Sequence, residues 1–374
     1  MDSENGCKAY SVGRKLKPFQ DKLSRIKLIP LDCFPYPIRK NALEVLAIYN
    51  IIRKELFTRT LRKQMKALVT GGAGFIGSHL VKHLVAENIK TKVYDNLYSG
   101  HLENLTSVQN KIEFIYGDIC DKKHLLSAMQ DVDCVFHQAA LVSVPQSTLN
   151  LQLTQQINIL GTLNVLETAL KADVRRIVIA SSCAIYGDCY QPPLKEDLAS
   201  MPKSPYAVSK VATEAWGETF YHTYGLETIS LRYFNVYGVG QRADSEYAAV
   251  IPKFINCYRN KQRPKIYGDG QQSRDFISVS DVVQANIAAA TISSKILNKH
   301  RIFNVCTGIA TNLLELLQLI SEKFGYCLEP EFLDIRRGDI QASWGDITRA
   351  SVNLNFSVKE TLSEKVSSVI DRIN

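Results

Sequence analysis

The stretch Leu68-Val69-Thr70-Gly71-Gly72-Ala73-Gly74-Phe75-Ile76-Gly77-Ser78-His79-Leu80 decides the fold. The apolar run Ala67-Leu68-Val69 ahead of the glycines suits a buried parallel strand. Beyond them Phe75, Ile76, Leu80, Val81 and Leu84 recur at helical spacing. Gly71, Gly74 and Gly77 therefore fall on a strand-to-helix turn. There the chain bends sharply, helix and strand pack closely, and a pyrophosphate can approach the backbone. Asp95 ends the next apolar run, Thr91-Lys92-Val93-Tyr94, about where a ribose-binding carboxylate belongs. An ordinary glycine-rich turn does not need the strand, the helix and the acid together. The expectation is a dinucleotide site using Gly71, Gly74, Phe75, Ile76, Gly77, Asp95 and Asn96. A carboxylate at Asp95 would repel a 2′-phosphate, which favours NAD over NADP.

Working outward, strands are expected at 66–70, 90–94, 112–116, 133–137, 176–180 and 228–233. Helices are expected at 75–86, 121–130, 155–171 and 205–223. The alternation predicts an α/β fold, a doubly wound Rossmann-like parallel sheet. After Asn235 the pattern becomes irregular and reads as a smaller C-terminal α/β lobe that closes over a ligand. The expected division is an extension at 1–64, a cofactor-binding domain at 65–242 and a substrate lobe at 243–374, with some late segments returning to the sheet. Within the extension, residues 41–64 read as an amphipathic helix through Leu43, Leu46, Ile48, Ile51, Ile52 and Leu56.

Apolar residues make up 45% of the chain, ample for a core, and no apolar run is long enough to span a bilayer. The net charge of +8 belongs to residues 1–64, which carry 14 basic and 6 acidic residues; the rest balances at 31 of each. A basic arm of this kind can meet lipid or nucleic acid. It is read here as a solvated extension, so no nucleic-acid partner is expected. The nine cysteines are scattered, with no Cys-x-x-Cys pair, so no metal site is expected. Their odd number, with no secretory signal, fits reduced thiols and a cytoplasmic location.

Gly117-Asp118-Ile119 ends the third strand. Alone, Asp118 reads equally as an acceptor for an adenine amino group or as a cap for the following helix; in context the adenine role is favoured. Phe136-His137-Gln138-Ala139-Ala140 closes the fourth strand, where small residues let a bulky cofactor lie against the strand ends. His137 is read as a buried, satisfied histidine. Tyr206-Ala207-Val208-Ser209-Lys210 carries the chemistry: Tyr206 and Lys210, four apart, share a helix face. A nearby ammonium lowers a phenol's pKa, as does a cationic nicotinamide ring, and so readies Tyr206 as a base near neutral pH. The run Ser181-Ser182-Cys183-Ala184-Ile185-Tyr186-Gly187 adds Ser182.

Together these motifs resemble the extended short-chain dehydrogenase/reductases, within them the NAD-dependent nucleotide-sugar epimerases, over about residues 65 to 374. Ser-Ser-x-x-Val-Tyr-Gly is a motif of those epimerases, and Ser182 aligns with their catalytic serine. The relatives that expel water or carbon dioxide place Asp-Glu or Glu just after that serine or its Thr equivalent. This chain has Cys183-Ala184, which points away from both reactions and toward oxidation followed by re-reduction. Cys183 as an acid–base thiol is the less favoured reading.

The resemblance implies Ile119 and Tyr233 at the cofactor and a UDP-sugar substrate. Asn235 would contact its pyrophosphate, the backbone at Ala249 and Val250 its uracil, and Tyr267 would stack on that ring. Arg274 and Arg336 would clamp the diphosphate, for which guanidinium geometry is suited, and Asp339 would bind the ribose. The segments holding Ser143-Val144 and Ala249-Val250 look most like the N-acetylhexosamine branch. Ser343 aligns with a gate residue that, when small, leaves room for a 2-acetamido group. The resemblance therefore implies C4 epimerisation of UDP-N-acetylglucosamine, with Tyr206, Lys210 and Ser182 catalytic, in a homodimer. UDP-N-acetylglucosaminuronic acid and UDP-glucose stand as alternative substrates, and a non-catalytic NAD sensor as a rival from another class.

Overall fold

The computed structural model describes residues 65–188, 191–241, 249–335 and 340–372. The extension at 1–64, with its expected helix, lies outside the described residues, as do Arg336 and Asp339.

The apolar run at the glycine turn forms β1 (Lys66–Thr70), buried from Ala67 onward. The helical spacing after it forms α1 (Phe75–Ala86), which buries Leu80, Val81 and Leu84. β2 (Lys90–Asp95) and β3 (Ile112–Tyr116) follow. Next comes α2 (Lys122–Ala128), whose N-cap is Asp121. β4 (Cys134–His137) is buried throughout, and α3 (Val144–Leu149) starts on Ser143 as its cap. The helix expected at 155–171 is α4 (Gly161–Lys171), preceded by a wider π turn at Gln155–Leu160. At that turn Asn158 points inward. Its Oδ1 accepts from Leu141 N at 2.7 Å and its Nδ2 donates to Leu141 O at 2.9 Å. β5 (Arg176–Ser182) leads by a connection into α5 (Pro205–Tyr224) and then β6 (Glu227–Tyr233). Ser204 caps α5, Pro205 sits at its first position, and Gly225 ends it in the left-handed region at φ 74°.

Past β6 come β7 (Asn235–Tyr237), α6 (Val250–Arg259), β8 (Lys265–Tyr267), β9 (Ser273–Arg274), β10 (Phe276–Ser278) and α7 (Val279–Thr291). β11 (Ile302–Val305), β12 (Thr311–Asn312), α8 (Leu313–Phe324), β13 (Glu331–Leu333) and β14 (Ala342–Ser343) complete the part that bears on the site. The main sheet has seven strands in the order β11-β6-β5-β4-β1-β2-β3, and every pair in it is parallel. The order reverses between β1 and β4, the crevice where open α/β sheets take their ligands. Sequence reading accounts for six of these strands. The seventh, β11, is the short run Ile302-Phe303-Asn304-Val305, which returns to pair with β6. Its polar Asn304 breaks the apolar signal, yet is buried and accepts from the Tyr186 hydroxyl at 2.6 Å. Short two- and three-stranded sheets, β7 with β10, β8 with β13, and β12-β9-β14, build the smaller lobe. No helix among the described residues is long and apolar enough to cross a membrane.

Two glycines of the turn set how near α1 stands to β1. Gly71 has φ +68°, and a Cβ on it would meet Ala139 N at 2.6 Å. A Cβ on Gly77 would meet the Gly71 carbonyl oxygen at 2.1 Å, so the helix would have to move. Gly77→Ala is expected to destabilise the fold by about 1–3 kcal/mol, the usual cost of overpacking a closed contact. Urea denaturation of the purified variant measures it; an unchanged midpoint would show that the turn has slack.

Candidate active site

A cavity of ≈ 1000 Å³ runs along the strand ends from the glycine turn to the smaller lobe. Gly71, Gly74, Phe75, Ile76 and Gly77 line one end of it. The N-cap of α1, Gly74, offers no side-chain hydrogen bond, and the first turn carries no acid. The helix therefore presents its backbone N–H groups to the cavity, a ready cradle for a pyrophosphate. Asp95 closes β2 beside it: Oδ2 accepts from Ala73 N at 2.9 Å and Oδ1 from Leu97 N at 2.8 Å. Burial raises the Asp95 carboxyl above the usual range, with those two N–H groups opposing. The acid thus ties the glycine turn to the end of β2.

Asp118 belongs to the same end. Its Oδ1 accepts from Cys120 N at 2.8 Å and its Oδ2 from Asn96 Nδ2 at 2.8 Å. Burial works to raise this carboxyl, but the hydrogen bonds outweigh it and hold the pKa below the ordinary value. The capping alternative is settled by α2 itself, whose cap is Asp121, accepting from His124 N at 3.1 Å. Ile119, Ala139, Ala140 and Tyr233 also line the cavity. The uncapped helix N-terminus, the missing side chains at the turn and the ionised Asp118 all fit a dinucleotide laid across the strand ends.

At the middle of the cavity α5 lies against the end of β5. Ser182 and the Tyr206 phenol are hydrogen-bonded, and Ser182 Oγ also accepts from Ala184 N at 3.2 Å. The helix start is pinned because Tyr206 N donates to Ser147 Oγ at 3.1 Å. Lys210, 5% exposed, donates from Nζ to the Ala180 carbonyl at 2.7 Å. It sits 5.8 Å from the centre of the Tyr206 ring. Burial brings Lys210 down to about 8, opposed by the charge of Glu214. The sequence expectation for the phenol counted a cationic nicotinamide as well as the ammonium. Burial pushes Tyr206 up to about 12, and the bond to Ser182 lowers it only in part. In the protein alone, dehydration of the phenolate dominates, and the neighbouring Cys183 raises the pKa further.

The far end of the cavity gathers Asn235, Ala249, Val250, Tyr267 and Arg274. Ala249 is the N-cap of α6 and makes no side-chain cap bond, so that helix start too faces the cavity with backbone donors. Ser343 lies on β14, in register with Arg274 on β9. It is 5% exposed and hydrogen-bonded through its side chain to Cys183. Burial pushes the Cys183 thiol up to about 12, so it keeps its proton and does not serve as a base. Ser143 is engaged as the cap of α3, accepting from Gln146 N at 3.1 Å, and Val144 is exposed.

With this arrangement in view, the chain matches the NAD dependent epimerase/dehydratase family over residues 67–306. It belongs to that family. It is 36% identical over 311 residues to the UDP-glucose 4-epimerase of Mycolicibacterium smegmatis, across 82% of this chain and 98% of that one. Among solved structures it is similar to the UDP-N-acetylglucosamine 4-epimerase from Methanobrevibacter ruminantium in complex with UDP-N-acetylmuramic acid. That likeness has a TM-score of 0.79 and 37% identity, covering 83% of this chain and 98% of that one. The Thermus thermophilus UDP-glucose 4-epimerase complex with NAD gives a TM-score of 0.76 at 33% identity, covering 82% and 98%. The enzyme is an NAD-dependent UDP-sugar 4-epimerase, an isomerase.

Sequence reading missed several residues of the epimerase's site. Tyr98 and Gln138 line the cavity, and Glu214 stands one helical turn past Lys210, buried. Glu214 had a signal, since it extends the Tyr206–Lys210 spacing by four, but an exposed helical glutamate has the same spacing. His137 holds no free ring nitrogen: Nδ1 is 2.8 Å from Thr70 Oγ1 and Nε2 2.9 Å from Thr162 Oγ1. Burial, and then the charge of Lys210, brings its pKa down to about 3. An unfolded histidine takes a proton near pH 6.5, whereas this one stays neutral until about 3. Its stability contribution is therefore complete above the unfolded value and is lost as pH falls from 6.5 toward 3. The slope is about 1.4 kcal/mol per pH unit. Urea midpoints between neutral and mildly acid pH should fall less for His137→Gln than for the parent; parallel curves would rule this out.

Proposed function

We propose that the enzyme interconverts UDP-N-acetylglucosamine and UDP-N-acetylgalactosamine, with Tyr206, Ser182 and Lys210 as its catalytic group. The observation that carries the substrate choice is the small Ser343. Its side chain is turned onto Cys183, the neighbour of Ser182. Ser343 is not itself among the cavity-lining residues; in the resembled family a residue of that size at this position leaves room for a 2-acetamido group. The Methanobrevibacter epimerase, whose name carries the same N-acetylated sugar, supports the choice.

NAD, when bound, supplies the reversible oxidation at C4. Tyr206 takes the proton from O4, directly or through the Ser182 hydroxyl it is bonded to, and returns it after the sugar has turned over in the pocket. Lys210 supplies a fixed positive charge beside the phenolate and donates to the cofactor ribose. Asp95 and Asn96 hold the adenosine ribose, Asp118 the adenine. At the other end Asn235 and the Arg274–Arg336 pair hold the diphosphate, Tyr267 stacks on uracil against the backbone of Ala249 and Val250, and Asp339 takes the uridine ribose. Ser143 and Val144 border the sugar.

We infer a homodimer built on the exposed apolar residues Leu149, Leu151, Leu160 and Val208. They lie on helices packed against one another around α5. The same reading places the enzyme in the cytoplasm, in keeping with unpaired thiols at Cys134, Cys183 and Cys306.

The test is to incubate the purified protein with UDP-N-acetylglucosamine, its uronic acid and UDP-glucose, and to resolve the C4 epimers. UDP-N-acetylglucosamine should give the highest kcat/KM; preference for either of the other two overturns the substrate reading. Tyr206→Phe should lower kcat about 10²–10⁴-fold, the range for loss of a general base. Ser343→Tyr should cost the acetamido sugar about tenfold or more in kcat/KM while leaving UDP-glucose much less affected, since steric discrimination spans about that range.

A further inference from the structure

On α5, Tyr206, Lys210 and Glu214 fall four apart on one face, and each is tied to one of three consecutive residues at the end of β5. Tyr206 meets Ser182, Lys210 donates to the Ala180 carbonyl at 2.7 Å, and Glu214 Oε1 accepts from Ser181 Oγ at 2.5 Å. The third tie has no part in the proton path. Glu214 is 5% exposed and Arg232, from β6, 3%. The guanidinium grips the carboxylate with two donors, Nε to Oε1 at 2.9 Å and Nη2 to Oε2 at 2.8 Å. Its other arm donates to the Tyr186 hydroxyl at 2.9 Å and the Glu196 carbonyl at 3.1 Å. Ser181 and Arg232 are direct partners in the β5–β6 register. Glu214 therefore holds one fixed position, set by two strands at once.

We propose that Glu214, clamped by Arg232 and Ser181, is a positioning residue that fixes Lys210 against β5 and keeps its ammonium charged. A buried ion pair is a poor device for stability alone, because apolar residues of the same volume serve as well or better. One helical turn from a buried lysine it has an electrostatic use. Glu214 is the group whose charge opposes the loss of the Lys210 proton on burial. The charged and titratable groups around it are few. From α5 come Tyr206 and Lys210, from β6 Arg232, and from the connection after β5 Tyr186 and Glu196. The Glu196 carboxylate is itself turned to Arg349, 3.6 Å away. From β4 comes His137, which is neutral near pH 7.

The proposal rests on the reading of Tyr206 and Lys210 as the proton-handling pair, and opposite charge changes test it. Removing the negative charge makes every neighbouring group lose its proton more easily; removing the positive charge does the reverse. In the NAD-loaded enzyme, Glu214→Gln should move both limbs of the pH profile of kcat toward acid by about one unit, a tenfold change in proton affinity. Arg232→Met should move both limbs toward alkali. In Glu214→Gln the loss should fall on kcat with KM little changed. A merely structural pair lowers activity and leaves the limbs in place. Unmoved limbs, or a shift of the same sign in both variants, overturn the proposal. So does failure of both variants to accumulate as folded protein, which would make the pair structural. Tyr206→Phe, run alongside, separates the two ideas: if it keeps full turnover the underlying reading fails whatever the other variants do.

Discussion

The tightest glycine contact among the described residues is between Gly71 and Gly77, where a methyl group on Gly77 would fall 2.1 Å from the Gly71 carbonyl oxygen. That contact sets the distance from α1 to β1. It also leaves the helix N-terminus bare, with no capping side chain over its first N–H groups. Gly71 in turn lies against Ala139 at the end of β4, the strand across the reversal in sheet order. The bare helix N-terminus and the close approach to β4 leave a cradle along the strand ends that fits a dinucleotide. Ser182 at the end of β5 and Tyr206 at the start of α5 are the next groups along the same edge. The turn does no chemistry, but it orders the site.

Along that edge burial and charge oppose each other. Dehydration favours the neutral forms, raising Tyr206 to about 12 and lowering Lys210 to about 8. A phenol and an amine driven that way are a poor base and a weak cation. Local chemistry partly reverses the tendency: Ser182 bonds to the phenol, Ala180 accepts from the ammonium, and Glu214 supplies negative charge. A cation laid against the phenol would lower its pKa further. Burial thus draws Tyr206 and Lys210 toward their neutral forms in the protein alone, and the cationic nicotinamide that the sequence reading set beside the ammonium is the remaining influence on the phenol.

What the sequence discloses here is what a short window of chain can encode. The glycine turn is legible because strand, turn and helix are contiguous, and Tyr206 with Lys210 because a helix brings them together whatever lies beyond. Asp118 was legible from its context as an adenine acceptor rather than a cap, and the structure removes the capping role by giving it to Asp121, three residues on. β11 and Glu214 were hidden for a different reason. Asn304 in β11 looks like a strand breaker until Tyr186, far away in sequence, arrives to bond it. Glu214 looks like a solvent-facing helix residue until Arg232 covers it. In both cases a buried polar side chain depends on a partner from another element, and a single sequence does not display that pairing.

The sugar end of the cavity shows the same dependence carried one step further. Asp275, fully buried beside Arg274, accepts from Thr307 N and Thr307 Oγ1, both at 2.7 Å, and from Gly308 N at 2.9 Å. Its Oδ2 also receives Gly345 N at 3.4 Å, and its backbone N–H donates to the Ser343 carbonyl at 2.9 Å. Burial raises the Asp275 carboxyl, and the Thr307, Gly308 and Gly345 donors oppose that rise. One carboxylate thereby joins the ends of β9 and β11 to the chain after β14. The backbone of Ser343 is therefore held by the residue next to Arg274, which lines the cavity. The positions of Ser343 and Arg274 are then not independent. A change at Asp275 would disturb both together, whereas a change of the Ser343 side chain, which is bonded to Cys183, leaves the backbone tie to Asp275 in place.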